Sequence, residues 1–311
     1  MLPYLENFLQ ELAKNNYSEE TIYNYERDLN VFEEFIINEI NKKFKNTKKE
    51  DINRYKEYLT SSNRKTAGKH NGHKILGAHS INRMLSSVKS YLLYLQNNDY
   101  HCPINPQLIK LTKTTKKQPQ MAGFDELVKL IESPTRLEKD ETIGLRNRAI
   151  LEVFFSTGIR ISELVNLNRD RVNKDGKILI VIKGKKERFV YLTDRAQQYL
   201  NKYLQTRSDG SPALFVPYRG RNVKTIKRRI STNYIQGKIK KYREILRINV
   251  PTSAHSLRHG FATYLAEKGA SPVAIQILLG HESLDTTTRY VHASDRYAEK
   301  IHRKFHPLKE E

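Results

Sequence analysis

The sequence runs to 311 residues, room for two domains of ordinary size, and its 38% hydrophobic content is enough to build cores. No stretch reaches the ~18 consecutive apolar residues of a membrane span. Lys and Arg number 55 against 34 Asp and Glu, a net charge of +21, and self-repulsion on that scale points to a polyanionic partner. The start MLPYLENFLQELAK carries Glu6 and Glu11, unlike the basic and then apolar opening of a secretory signal. The lone cysteine, Cys102, excludes an internal disulfide and a cysteine-clustered zinc site, which fits a reducing cytoplasm.

Residues 1–112 read as helical. Leu5, Phe8, Leu9 and Leu12 recur at helical spacing, as do Ile22, Tyr25, Leu29, Phe32 and Ile36 behind a Ser18 cap. A third helix is predicted over Asp51–Leu59. A fourth carries Ile81, Leu85, Val88, Leu92 and Leu95, with Ser80 as its expected N-cap. Between these two lies TSSNRKTAGKHNGHKILGAH (60–79), which reads as a long basic loop. Residues 103–121 mix three prolines with lysines and no acid, a composition that builds no core. The boundary is therefore expected near Thr112–Gln120, giving a first domain over 1–112, a linker over 113–121 and a second domain over 122–311.

The second domain opens with predicted helices over Phe124–Glu132 and Gly144–Ser156. KILIVIK and RFVYL, split by a glycine-containing turn, predict a hairpin. Further helices are expected from Asp194, around Lys224–Arg247, over Ser256–Lys268 and over Pro272–Leu279. The last has Ser271 as cap and Gly280 as stop. The fold class is mainly α: a helical N-terminal domain, then a mixed α/β domain with a small antiparallel sheet.

Charge is unevenly spread. Residues 1–38 hold two basic and eight acidic side chains, 39–75 eleven against four, and 217–247 eleven against one. Two basic runs in different domains, the second interleaved with tyrosines, favour nucleic acid over a merely solvated face. Arg228, Arg229, Lys240 and Lys241 are the candidate DNA contacts.

Six residues form a chemical constellation, although each has an ordinary reading alone. Arg160 sits three residues before Glu163, as in a surface ion pair. Lys183 lies in the hairpin turn, His255 and Arg258 on one face of a basic helix, His281 just past a glycine stop, and Tyr290 is one of 18 tyrosines. Together they suit an anion whose charge changes during reaction. Arginine forks hold phosphate oxygens, histidine and lysine move protons, and a tyrosine near cations can attack and form an ester. The sequence has no nucleotide-binding GxxxxGK[ST] loop, no HExxH zinc motif and no carboxylate cluster for magnesium. The expectation is phosphoryl transfer without metal or cofactor.

The segments TGIRISEL, KGKKER, HSLRHGFAT and LGHESLDTTTRY, in that order, resemble the tyrosine recombinase (phage-integrase) family, and its Xer-type members in particular. The N-terminal LENFLQELAKNNYSEETIYNYERDL and SINRMLSSVKSYLLYL resemble the family's helical core-binding domain, and the tail DRYAEKIHRKFHPL also fits. The resemblance implies Arg160, Lys183, His255, Arg258, His281 and Tyr290 as catalytic residues, with Glu163 supporting Arg160. It implies a site-specific recombinase that cleaves DNA through a 3′-phosphotyrosyl link. Four protomers, identical or shared with a paralogue, would act in the cytoplasm on two duplexes without a cofactor. Ile182, Ala254 and Tyr191 depart from common family residues and remove no reactive group. A chain that starts close to the core-binding segment favours Xer-like dimer resolution of chromosomes or plasmids over a mobile-element integrase. A type IB topoisomerase and a non-catalytic DNA-binding relative are the remaining alternatives, and the filled set of six argues against the second.

Overall fold

In the computed structural model, residues 1–61, 76–113, 122–181, 187–220, 223 and 228–280 are described. They divide into two compact units, Met1–Lys117 and Gln118–Glu311. None of the described helices is long and apolar enough to cross a membrane.

The first unit is helical: α1 (Leu5–Lys14), α2 (Glu19–Glu34), α3 (Lys49–Thr60) and α4 (Ala78–Asn97). Ser18 caps α2 as predicted, its hydroxyl accepting from the Thr21 amide at 3.1 Å. The cap of α4 is Gly77, not Ser80, and it has no side-chain bond. Glycine supplies an extended N-cap backbone without a hydroxyl, and the helix begins three residues earlier than expected. The apolar stripes of α2, α3 and α4 meet in one core around Leu29, Phe32, Tyr55, Leu85, Val88 and Leu92. One buried charge ties α2 to α4: Asp28 accepts from Arg83 and from the Ser87 hydroxyl. Most of the predicted basic loop, 62–75, lies outside the described residues.

The second unit is built around α7 (Glu141–Thr157), preceded by α5 (Phe124–Glu132) and the one-turn α6 (Pro134–Leu137). Residues of α7 are buried on nearly every side. Its polar members are therefore paired: Arg148 with Glu152 at 2.7 Å, and Arg146 with the Val216 carbonyl at 2.9 Å. After α7 come α8 (Ile161–Asn166), the hairpin strands β1 (Lys177–Val181) and β2 (Glu187–Tyr191), and α9 (Asp194–Gln205). The hairpin is antiparallel, with Ile178 opposite Val190 and Ile180 opposite Arg188, and these four side chains face inward. Then follow α10 (Thr232–Ile245), α11 (Ala254–Glu267) and α12 (Pro272–Leu279). The helix predicted from Lys224 begins only at Thr232, behind a Ser231 cap. Residues 228–230 are not helical, and the backbone amide of Ile230 instead donates to the Phe215 carbonyl at 3.3 Å.

Candidate active site

Arg160 is placed by the end of α7. Gly158 closes that helix in the left-handed conformation (φ 59°), where a β-carbon would lie 2.3 Å from the Phe261 ring. The chain thus reverses tightly, buries Ile159 and sets Arg160 as the N-cap of α8. Arg160 stands before the helix, not on its face, and Glu163 both caps its backbone amide and pairs with its side chain. The Glu163 carboxylate accepts from the Arg160 backbone amide at 2.7 Å and from its Nη1 at 3.1 Å.

Glu163 has a second partner that the sequence reading overlooks. Arg188 of β2 grips it from below, with Nη1 to Oε1 at 3.0 Å and Nη2 to Oε2 at 2.7 Å. The signal was present in the strand period, since alternation places Arg188 on the face of Val190. Its side chain is only 5% exposed. Burial raises the Glu163 carboxyl, but the bonds from Arg188 and from the Arg160 amide outweigh it, and the pKa is lowered.

Arg258 sits at the start of the second turn of α11 and is buried, not on a solvated face. Its Nη1 donates to the Gly158 carbonyl at 2.6 Å and its Nη2 to the Leu279 carbonyl at 2.8 Å. Arg160 reaches the same place, with Nη2 to the Gly280 carbonyl at 3.1 Å. The two arginines therefore collect at the C-terminal ends of α7 and α12, where unpaired carbonyls and the negative dipole end favour cations.

His255 lies one turn before Arg258's neighbour His259, and the two Nε2 atoms are 2.7 Å apart. Burial lowers the His255 pKa, and the Arg258 charge lowers it further. Both effects favour the neutral imidazole, the form that can accept a proton.

Arg160, His255 and Arg258 all line one open cleft of about 940 Å³, together with Lys240 and Arg243 from α10. Among the described residues, no carboxylate lines it. Two arginines, one lysine and a further arginine around a neutral histidine make a site for a multiply charged anion. Among the described residues, no group of three or more His, Cys, Asp and Glu side chains is arranged to hold a metal ion.

The other candidates fall differently. Lys183, His281 and Tyr290 lie outside the described residues. Lys241 is exposed on α10 but does not line the cleft. Arg228 and Arg229 are also away from it. Arg228 donates to the Val223 carbonyl and pairs with Asp209 at 3.1 Å. Arg229 donates to the Leu167 carbonyl at 3.0 Å and to Asn168. Arg243, by contrast, was missed, although it stands three residues after Lys240 on the same helix.

The chain matches two family models: the phage integrase family over residues 122–296, and the phage integrase N-terminal SAM-like domain over 5–98. It is 35% identical over 244 residues to tyrosine recombinase XerC of Thermodesulfovibrio yellowstonii, covering 75% of this chain and 77% of that protein. It is 31% identical over 275 residues to tyrosine recombinase XerD of Staphylococcus epidermidis, covering 83% and 90%. Among solved structures it is similar to XerA recombinase, with 26% identity, TM-score 0.52 and coverage of 98% and 99%. It also shares its fold with XerH recombinase bound to its difH substrate, with 24% identity, TM-score 0.71 and coverage of 94% and 82%.

Proposed function

The chain belongs to the phage integrase family of tyrosine recombinases and is a Xer-like site-specific recombinase; from that premise we propose that the basic cleft is its DNA-cleaving centre. The scissile phosphate sits between Arg160 and Arg258. Tyr290 attacks the phosphorus through its phenolic oxygen, the bond to the 5′-oxygen breaks, and a 3′-phosphotyrosyl ester remains. The two guanidinium groups hold the non-bridging oxygens as charge builds on them. His255 takes the phenolic proton, Lys183 supplies one to the departing 5′-oxygen, and His281 donates a further hydrogen bond to the phosphate. Attack by a 5′-hydroxyl from a second duplex reverses the step, so one ester replaces another and no nucleotide is consumed.

On this reading residues 1–112 are the core-binding domain, 113–121 the linker and 122–311 the catalytic domain. Four protomers, identical or shared with a paralogue, exchange strands between two double-stranded sites in the cytoplasm and resolve chromosome or plasmid dimers. The observation that carries the proposal is the convergence of Arg160, His255 and Arg258 on one cleft that, among the described residues, no carboxylate lines.

The test uses the site recovered by sequencing DNA bound to the protein, built into a nicked suicide duplex. The native chain is expected to form a covalent adduct on it. Tyr290→Phe is expected to bind equally well and form none. A trapped adduct with Tyr290→Phe would overturn the assignment.

A further inference from the structure

We propose that Arg188 is a positioning residue of this centre: it fills and neutralises the Glu163 carboxylate, so that Arg160 meets the phosphate with its charge uncompensated. The inference rests on Arg160 being a phosphate ligand, as proposed above.

The geometry supports it on three sides. The carboxylate of Glu163 takes four hydrogen bonds: Oε1 accepts from Arg188 Nη1 at 3.0 Å and Arg160 Nη1 at 3.1 Å, and Oε2 accepts from Arg188 Nη2 at 2.7 Å and the Arg160 amide at 2.7 Å. Such a carboxylate has about four lone-pair sites, so all are occupied. The Arg188 pair is the bidentate one, fork to fork, and it is buried, whereas the Arg160 side chain is 42% exposed and bound through a single nitrogen. The third donor of Arg188 completes its fixation, Nε giving to the Leu278 carbonyl at 2.9 Å.

Charge follows geometry. Glu163 with Arg160 alone is a neutral pair, and a neutral pair does little for a phosphate gaining negative charge. Arg188 cancels Glu163 from the buried side, which leaves Arg160 as net positive charge at the mouth of the cleft. Without Arg188 the bidentate position falls open. The guanidinium of Arg160 would then turn onto its own cap residue, away from the phosphate and from the Gly280 carbonyl.

A salt bridge that merely holds the fold would show the same distances, so the test separates charge from structure. Adduct formation on the suicide duplex is measured for Arg160→Ala, Arg188→Met, Glu163→Gln and the double variant Glu163→Gln/Arg188→Met. Arg188→Met is expected to slow adduct formation about tenfold or more with site binding retained. Once the carboxylate is gone there is nothing left to cancel. The double variant is therefore expected to match Glu163→Gln to within about threefold, the signature of two residues that act on one another. This comparison stands even if Arg188→Met alone fails to fold around an unpaired buried carboxylate.

A second readout is specific to charge. On a duplex whose scissile phosphate carries methyl in place of one non-bridging oxygen, one negative charge is missing, and the deficit of Arg188→Met is expected to shrink. A double variant about tenfold slower than Glu163→Gln, or equal deficits on both duplexes, would overturn the role of Arg188. Undiminished adduct formation by Arg160→Ala would instead overturn the reading of the site on which it rests.

Discussion

Arg229 and Lys240 belong to the same basic stretch of sequence, yet their side chains have opposite fates. Arg229 holds the backbone of residues that follow α8, and Lys240 stands 70% exposed with only a 3.9 Å contact to Glu244. Composition cannot separate the two, because it counts charges and not partners. The same limit hid Arg188, whose inward position follows from the strand period once the strand is accepted. Motif order groups Arg160, His255 and Arg258, and the fold sets the three on one cleft. The burial of Arg258 was not, because its carbonyl partners come from helix ends 100 and 21 residues away in sequence. His255 yields a prediction at this scale. Its folded pKa lies below the ordinary value, so between the two values the unfolded chain binds the proton more readily. Stability from this group is complete above the ordinary histidine pKa of ~6.5 and declines as pH falls through it toward the folded value. Cleavage should fall on the acid side with a midpoint below that of a free histidine, and a single-turnover pH profile measures it. His255→Gln should remove that limb. A limb that persisted in the variant would assign the titration to another group.

The helix ends carry the centre. Gly158 closes α7 and Gly280 closes α12, both left-handed, and the carbonyls gathered there hold Arg160 and Arg258. The Pro272–Leu279 helix was legible to the residue because cap, first-turn proline and terminal glycine are local signals. The start of α10 was not, since the amide of Ile230 bonds to Phe215 through a contact distant in sequence. Gly280 allows a sharper test. A β-carbon there would lie 2.7 Å from Arg188 Nη1, and the residue has φ of +63°. Gly280→Ala should therefore cost on the order of 1–2 kcal/mol from the left-handed backbone alone. It should also slow cleavage by displacing the Arg188 fork from Glu163. Melting temperature and adduct rate, measured together, should both fall. A normal adduct rate in a destabilised variant would mean that the fork tolerates the methyl group.

Across the whole molecule, the net charge of +21 is an average over two kinds of cation, those fixed inside the fold and those left to meet DNA. Only the second kind displaces counterions from phosphates. For each phosphate neutralised, the slope of log affinity against log salt steepens by about 0.9. Lys240, exposed, and Arg243, half-buried, face the cleft and touch Glu244 only at 3.9 Å, a distance at which such pairs hold little. Replacing both by alanine should weaken binding to any duplex and flatten the slope by up to about 2, with little change in melting temperature. Arg228→Ala with Arg229→Ala should do the reverse. The Val223 carbonyl would lose its Arg228 donor and the Asn168 side-chain oxygen its Arg229 donor, and each such loss costs about 1–3 kcal/mol where the group is shielded from water. The melting temperature should drop while the salt slope stays close to that of the native chain. Titrations of both double variants at three salt concentrations, beside their melting curves, decide the matter. A flattened slope for the Arg228 and Arg229 pair, with stability intact, would return that pair to the DNA-binding face.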